Sequence, residues 1–374
     1  MFKSDFYMKK YYLDCGYIKN HKRRAKKKHA RNLIHKAWKR RANALLSGKS
    51  RDQQHNSPRV SKKAEAILRG YKLIQAPDNL SFINNPNEVA DFIWQLKQAF
   101  DQHQKVFVVL DAVMQIDYGA IVVLLSVMVR FKSFGIEFNG NFPKNYVSRK
   151  LLMQSGFFDN LYKEFSVEDS YQIKEDKYEG ICTHAQKKVD SVLSSQIISE
   201  ACQTIWHENR RCQGVQRALI ELMQNTNNHA SIGKTGDKHW WLSVYHDKKN
   251  KSVTFSFVDF GVGIFENLSN KQERSKFYNW KEKIKDKLFY GDNSGLLRLI
   301  LDGSLHRTVT ENDFRGKGLP GVAGVMKRNQ ISDLHIISND AYADVGGDRY
   351  IKLTKSFNGT FVYWKLGETN ESTK

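Results

Sequence analysis

The segment Val253–Ile264 reads VTFSFVDFGVGI and carries no charged residue before Asp259. Large apolar residues at alternate positions, closed by a glycine-rich turn, are typical of a buried β-strand. We therefore predict a strand that ends at Asp259, after which Gly261 and Gly263 let the backbone approach a flat ligand. A buried carboxylate there would accept a hydrogen bond from an amino group, which a purine can supply. Glycine-rich turns after strands are common, so this segment alone does not identify a site.

A second segment, Ala218–Ser231, reads ALIELMQNTNNHAS and has the apolar spacing of a helix. Glu221 and Asn225 are four residues apart and therefore lie on one helix face, with Asn228 on the next turn. A carboxylate beside a carboxamide suits a water-mediated Mg²⁺ site that leaves room for phosphate. The alternative interpretation is a solvated helix edge.

A third segment, Arg315–Val325, reads RGKGLPGVAGV. Gly316 and Gly318 favour a tight loop, and a helix is predicted from about Leu319. Free amides at a helix start bind phosphate, and Lys317 would add positive charge. The spacing is not that of a P-loop, and no strand leads directly into it as in a dinucleotide-binding loop.

In this order, the three segments resemble the N, G1 and G2 boxes of the GHKL (Bergerat-fold) ATPases. That superfamily includes type II topoisomerases, mismatch-repair ATPases, histidine kinases and the serine kinases that act as anti-sigma factors. Residues 358–360, just before a predicted strand at Phe361–Trp364, resemble a fourth sequence element of this superfamily. The resemblance implies that residues 190–374 bind ATP and Mg²⁺ in an α/β sandwich, a mixed sheet with helices on one face.

The same resemblance implies a role for individual residues. Glu221 would be the catalytic general base that orients the attacking water, and Asn225 would be the Mg²⁺ ligand. Asp259 would accept a hydrogen bond from the adenine amino group, and Thr360 would contact the base through water. The other residues placed around the nucleotide are Asn228, Gly261, Gly263, Gly316, Lys317, Gly318 and Leu319.

Residues 265–314 occupy the position of the ATP lid in this superfamily, a loop that closes over the nucleotide. Their length suggests extra helices, which we predict at Trp280–Leu288 and Leu296–Leu301. The alternative is a surface insertion with no gating role.

Residues 70–165 alternate between short apolar runs and helical spacing, which predicts a largely parallel sheet with crossover helices. The predicted strands are Tyr71–Ile74, Lys105–Leu110 and Ile136–Asn139, and the predicted helices are Glu88–Phe100, Gly119–Phe131 and Lys144–Gln154, the last opened by Pro143.

Three segments of this region resemble the STAS domain, the fold of anti-anti-sigma factors: Val108–Leu125, Phe134–Pro143 and Leu151–Asp159. In that family a turn reading Asp-Ser-Ser/Thr-Gly carries the hydroxyl that a partner kinase phosphorylates. Here residues 117–120 read DYGA, and Tyr118 is a poor substitute because its ring is larger. The resemblance implies a docking or dimerisation module that is insensitive to phosphorylation. A generic small α/β domain without a docking role is the alternative.

The net charge of +21 over 374 residues is concentrated at the N-terminus. The first 70 residues hold 21 Lys and Arg against 4 Asp and Glu, a net charge of +17. Within this leader, residues 1–69, the segment Lys19–Leu46 has the pattern of a cationic amphipathic helix. It would contact the phosphate backbone of a nucleic acid, dock on a protein partner, lie on an anionic membrane surface or remain an uncommitted tail. Residues 166–189 are predicted as a linker.

The remaining composition excludes several classes of protein. Four cysteines without metal-ligand spacing argue against a disulfide framework or a zinc site and favour a reducing cytoplasm. The longest apolar run, around Gly119–Val129, is shorter than the roughly 18–20 residues that a membrane-spanning helix needs.

Three functions fit these patterns. The first is a Mg²⁺-dependent GHKL ATPase whose nucleotide state acts as a regulatory or assembly switch, with the STAS-like domain recruiting a protein partner. The second is an anti-sigma-type serine/threonine protein kinase. The third is a non-catalytic ATP-binding scaffold that binds nucleic acid through its basic leader. The presence of Glu221 favours turnover over passive binding. Oligomers are common in the superfamily, which makes a nucleotide-dependent homodimer an expectation.

Overall fold

The computed structural model describes residues 70–162, 180–186, 189–229, 239–261, 263–265, 292–303, 318–357 and 359–372. The predicted basic leader and the helix predicted at Trp280–Leu288 lie outside these ranges, as do Gly316, Lys317 and Asn358. All the described residues belong to one compact unit of α/β structure. No helix among them is long and apolar enough to cross a membrane.

Residues 70–162 build a small parallel sheet covered by helices, as predicted. The sheet has the order β1-β3-β5, and a separate two-stranded ladder joins β2 to β4. The elements in chain order are β1 Lys72–Gln75, β2 Asn79–Leu80, α1 Pro86–Asp101, β3 Val106–Val109, β4 Gln115–Ile116, α2 Tyr118–Ser133, β5 Phe138–Gly140, α3 Tyr146–Gln154 and α4 Phe157–Tyr162.

Side-chain caps explain where the helices of this region begin. The Asp117 carboxylate accepts a hydrogen bond from the Ala120 amide at 2.7 Å, which starts α2. The Asn145 side chain accepts one from the Ser148 amide at 3.0 Å. Helix α3 therefore starts two residues later than the predicted Lys144, because an asparagine cap and not Pro143 opens it.

The rest of the described chain forms a seven-stranded sheet of order β11-β10-β9-β12-β8-β7-β6, with four further helices. The elements are β6 Gly180–Gln186, α5 Ser191–Trp206, α6 Gln213–His229, β7 His239–Asp247, β8 Ser252–Asp259, α7 Asn293–Leu301, α8 Gly318–Lys327, β9 Ser332–Ser338, β10 Ala341–Asp344, β11 Arg349–Lys352 and β12 Thr360–Gly367. The strands predicted at β7, β8, β9, β11 and β12 and the helix predicted at Leu296–Leu301 are present.

The sheet differs from the prediction in its pairing. Every described strand pair within this seven-stranded sheet is antiparallel, so the expected mixed sheet is wrong. The physical reason is that β12, the last strand, inserts between β8 and β9 and separates two strands that run in the same direction. The linker predicted over residues 166–189 is also wrong at Gly180–Gln186, because these residues form the edge strand β6 on β7.

The prediction of helices on one face of this sheet is wrong, because helices cover both faces. Alternation along the strands sends Trp240 and Phe257 to one face, where α5, α6, α7 and α8 pack. It sends Trp241 and Val258 to the opposite face, which α2 covers. Residues 118–129 of α2 are all buried, which is typical of a helix enclosed between two layers.

The two predicted domains therefore share a core. The ring of Tyr118 stacks on that of Tyr245 with centroids 4.5 Å apart. The Tyr342 hydroxyl donates a hydrogen bond to the carbonyl oxygen of Ile83 at 3.3 Å, and so ties β10 to the loop before α1. The buried apolar cluster around α2 continues without a break from residues 70–162 into the face of the large sheet.

Candidate functional site

The end of β8 carries the most constrained polar group of the predicted site. Asp259 is paired in register with Thr360, the first residue of β12, and its carboxylate accepts a hydrogen bond from the Thr360 hydroxyl. The Gly261 amide donates to Asp259 Oδ1 at 2.9 Å. Burial raises the pKa of Asp259 to about 6, against the lowering effect of these two donors. A Cβ atom at Gly359 would collide with the carbonyl oxygen of Asp259, so the approach of the two strands requires a glycine.

The turn after β8 is held by the end of β9. The Ile264 amide donates to Ser338 Oγ at 2.9 Å, and Ser338 Oγ donates to the carbonyl oxygen of Gly359 at 3.0 Å. Gly263 has a φ of 78° and lies so close to the Asn339 carboxamide that a Cβ atom would overlap it. The fully buried Ser338 thus connects the turn to the segment that leads into β12.

Ser338 and Asn339 were not predicted from the sequence. The available signal was the polar pair that closes the apolar strand β9, directly before the next hairpin. Their role depends on β9 lying beside β12, and the sequence does not reveal that neighbour.

The predicted helix of Glu221 and Asn225 is α6, and both side chains are partly exposed. The Arg217 guanidinium, one turn earlier, lies 3.7 Å from a Glu221 carboxylate oxygen, and Glu221 is 23% exposed. Such an i,i+4 pair contributes only about 0.3–0.5 kcal/mol, so it restricts the Glu221 side chain without locking it. Arg217 was not predicted as part of the site. Asn228 is on the same helix, but its side chain lies outside the described residues.

Helix α8 begins at Gly318, as predicted for the third segment, with Leu319 at its second position. The first-turn amides of a helix have no partner within the helix. A Cβ atom at Gly321 would meet no described atom within 4 Å, so the helix has free space at this position among the described residues. Helix α8 packs along α6, where a Cβ at Gly214 would lie 3.0 Å from Val325.

The structure thus assembles the predicted residues in two groups. Asp259, Gly261, Gly263 and Thr360 lie together where the central strand β8 ends and β12 begins. The residues on helices are Glu221 and Asn225 on α6, and Gly318 and Leu319 at the start of the adjoining α8. The described residues hold no cluster of three or more His, Cys, Asp or Glu side chains that could bind a metal by themselves. No protein-family model matches the chain, and no curated protein matches it.

Proposed function

We propose that this protein is a Mg²⁺-dependent ATPase of the GHKL type, whose nucleotide state switches its conformation or its association. The observation that supports this best is the carboxylate of Asp259 at the end of β8, held by the Gly261 amide and the Thr360 hydroxyl. Two donors do not exhaust a carboxylate, which offers about four lone-pair sites. The remaining capacity suits the exocyclic amino group of adenine.

The neighbouring glycines support the adenine pocket. Gly263 adopts a φ of 78° and has no side chain, so the turn after β8 can pack directly on the Asn339 carboxamide. The Ser338 and Asn339 side chains hold the turn from behind. The turn that would line the adenine pocket is therefore held in place without the base, which would lower the entropic cost of binding.

The phosphates would bind between α6 and α8. The amides in the first turn of α8 provide donors for an anion, and the helix dipole favours negative charge there. The partly exposed Asn225 has the hard oxygen donor that Mg²⁺ prefers, and Mg²⁺ usually takes only one or two protein ligands beside phosphate and water. The bound ion would neutralise phosphate charge, while Glu221 would orient and deprotonate the attacking water.

The STAS-like region, residues 70–162, would transmit the nucleotide state. Phe260 follows Asp259 directly and packs on Phe357 with ring centroids 5.6 Å apart. Phe357 contacts Phe82 edge-on at 5.5 Å, and Phe82 lies 5.0 Å from Phe361. A shift at the adenine pocket would therefore reach the loop before α1 through four aromatic rings. A protein partner would use the faces of this region other than α2, because the large sheet already covers α2.

One experiment separates this function from its alternatives. Purified full-length protein is incubated with γ-labelled ATP and Mg²⁺, and the products are resolved by thin-layer chromatography and gel electrophoresis. Free phosphate without labelled protein supports the ATPase. Transfer of the label to a protein supports the anti-sigma-type kinase, and nucleotide binding without either product supports the scaffold. Failure of calorimetry to detect ATP binding would overturn all three.

The basic leader and the cellular location complete the proposal. A cytoplasmic protein has constant access to ATP and Mg²⁺, and the leader would add a contact with a nucleic acid. Binding of DNA or RNA that weakens steeply with salt, and that is lost when residues 1–66 are deleted, would support the contact.

A further inference from the structure

Two buried cysteines lie side by side next to the helix of Glu221. Cys202 is in α5 and Cys212 directly precedes α6; they are 0% and 6% exposed. Their sulfur atoms are 3.6 Å apart. The chain between them turns back at His207, which ends α5 with a φ of 57°. The contact therefore belongs to the packing of two helices and not to a chance meeting of surface side chains.

We propose that Cys202 and Cys212 form a reversible disulfide that fastens α5 to the first turn of α6. A disulfide needs an S–S distance of about 2.05 Å, so the sulfur atoms must approach by about 1.5 Å, which side-chain rotations in the two residues would have to supply. The loop 207–211 that joins the two cysteines is partly exposed, and opening of this loop would give a small oxidant a route to the buried thiols.

The surroundings of the pair favour the reaction. A hydrogen bond from the Cys212 thiol lowers the pKa of Cys202, and the nearby Arg210 adds to this effect, against burial, which raises the pKa. The same bond and burial raise the pKa of Cys212. Cys202 is thus the thiol of the pair that ionises more readily, and the thiolate is the nucleophile in thiol–disulfide exchange.

The oxidant we invoke is a small disulfide of the glutathione class. The Cys202 thiolate attacks one of its sulfur atoms, forms a mixed disulfide and expels one thiolate. Cys212 then loses its proton and attacks Cys202 Sγ, which expels the second thiolate. The protein gives up two electrons and two protons, and the small disulfide is reduced to two thiols. A dithiol reductant reverses both steps.

The disulfide would act on the catalytic helix. The Cys212 carbonyl oxygen accepts the hydrogen bond of the Gln216 amide at 3.0 Å, so Cys212 belongs to the start of the helix that carries Arg217 and Glu221. A disulfide at Cys212 would fix the first turn of α6 relative to α5 and so restrict movement of the helix that carries Glu221. This effect on turnover rests on the proposed ATPase, whereas formation of the bond does not.

Peptide mapping of the wild-type full chain tests the bond. The protein is equilibrated in buffers of increasing oxidised-to-reduced glutathione ratio, free thiols are alkylated after unfolding, and tryptic peptides are analysed by mass spectrometry. Cleavage at Arg210 and Arg211 separates Val189–Arg210 from Cys212–Arg217. We expect the two peptides to become linked, with the loss of two hydrogens, and to separate again in dithiothreitol.

Three results would overturn the proposal. Both peptides could remain fully alkylated even in oxidised glutathione alone, Cys202 could carry only glutathione, or either cysteine could pair with Cys15 or Cys182. A Cys15→Ser/Cys182→Ser variant that retains only the pair should give the same linked peptides. Cys212→Ser in that background is the matched control and should not link. Oxidation should raise the melting temperature of the pair-only variant and leave that of the Cys212→Ser control unchanged, whatever the outcome of an ATPase assay.

Discussion

The second residue of α2, Gly119, lies directly against the ring of Phe361 in β12, and a Cβ atom at Gly119 would be 2.8 Å from its Cζ. Helix α2 can approach the large sheet this closely only because the side chain is missing. Residues 117–120, which include Gly119, are the segment whose sequence resembles the phosphorylated turn of the STAS domain. In this chain the turn is used instead to join two layers of the fold.

Gly119→Ala is expected to lower the free energy of unfolding by about 1–3 kcal/mol, because the new methyl group must displace a fully buried aromatic ring. Chemical denaturation followed by circular dichroism measures the change. Gly321→Ala is the matched control, since that Cβ meets no described atom within 4 Å. An effect of Gly119→Ala no larger than that of the control would show that the close contact is not maintained in solution.

Adenine binding is expected to weaken as the pH falls through about 6, the raised pKa of Asp259. The amino group of the base needs the ionised carboxylate, so binding stabilises that form and releases protons near this pH. Calorimetry of ATP binding at pH 6 in two buffers of different ionisation enthalpy measures the release. Asp259→Asn should abolish both the affinity and the proton release, and unchanged affinity in this variant would refute the pocket.

The same substitution should stabilise the ligand-free protein at pH 8. A carboxyl whose pKa is raised on folding binds its proton more tightly in the native state, so it disfavours folding above about pH 6 and ceases to do so below its unfolded pKa. Asp259→Asn removes the buried charge while its amide oxygen can still accept from Gly261. The expected gain in the free energy of unfolding is up to about 3 kcal/mol at pH 8 and vanishes towards pH 3. A loss of stability at pH 8 would contradict the desolvation of Asp259.

Glu221→Gln should lower kcat for ATP hydrolysis by about 10²–10⁴-fold and leave the Kd for ATP unchanged, because the base acts on the attacking water and not on the bound nucleotide. A phosphate-release assay and calorimetry give the two values. Glu368→Gln, at an exposed ion pair with Lys251 beyond the far end of β12, is the control and should leave both unchanged. Activity that survives in Glu221→Gln would assign the base to another residue.

Coupling between the adenine pocket and residues 70–162 is expected to depend on Phe82. In the wild-type protein, ATP should increase the hydrogen-exchange protection of the loop 81–85 before α1. Phe82→Leu removes its ring contacts with Phe357 and Phe361, so the increase should be lost while ATP affinity is retained. Phe100→Leu changes a ring of the same region that packs on Phe131, and should leave the response intact. If Phe82→Leu and Phe100→Leu lost the ATP-dependent increase in protection equally, the cause would be general destabilisation and not the ring contacts of Phe82.

Local patterns were sufficient to predict much of the fold. Strand β8 ends at Asp259 as its apolar run indicated, and the helices α6 and α8 are present where the second and third segments predicted them. These elements are long or strongly periodic, and the residues that decide them are close in sequence. The adjacency of Asp259 and Thr360 was implied only by resemblance, because it depends on pairing between strands about a hundred residues apart.

Features that depend on distant neighbours were not predicted. The edge strand β6 pairs on one side only and reads GICTHAQ, which lacks the continuous apolar run of a buried strand. The insertion of β12 between β8 and β9 makes the sheet antiparallel, and no short segment encodes that order. The long apolar run that forms α2 could be recognised in the sequence. The sequence did not show that the large sheet covers the second side of this helix.

The position of α2 between two layers also limits how this gene product can change over generations. Trp241, Val258 and Phe361 are buried in the cluster that the large sheet forms with α2 and its neighbours in residues 70–162. A recombination event that replaced residues 70–162 with an unrelated module would leave these side chains in water, where they would promote aggregation. Residues 70–162 and the large sheet are therefore expected to evolve together. A substitution in α2 that changes its contact with the sheet would need a compensating substitution in the sheet.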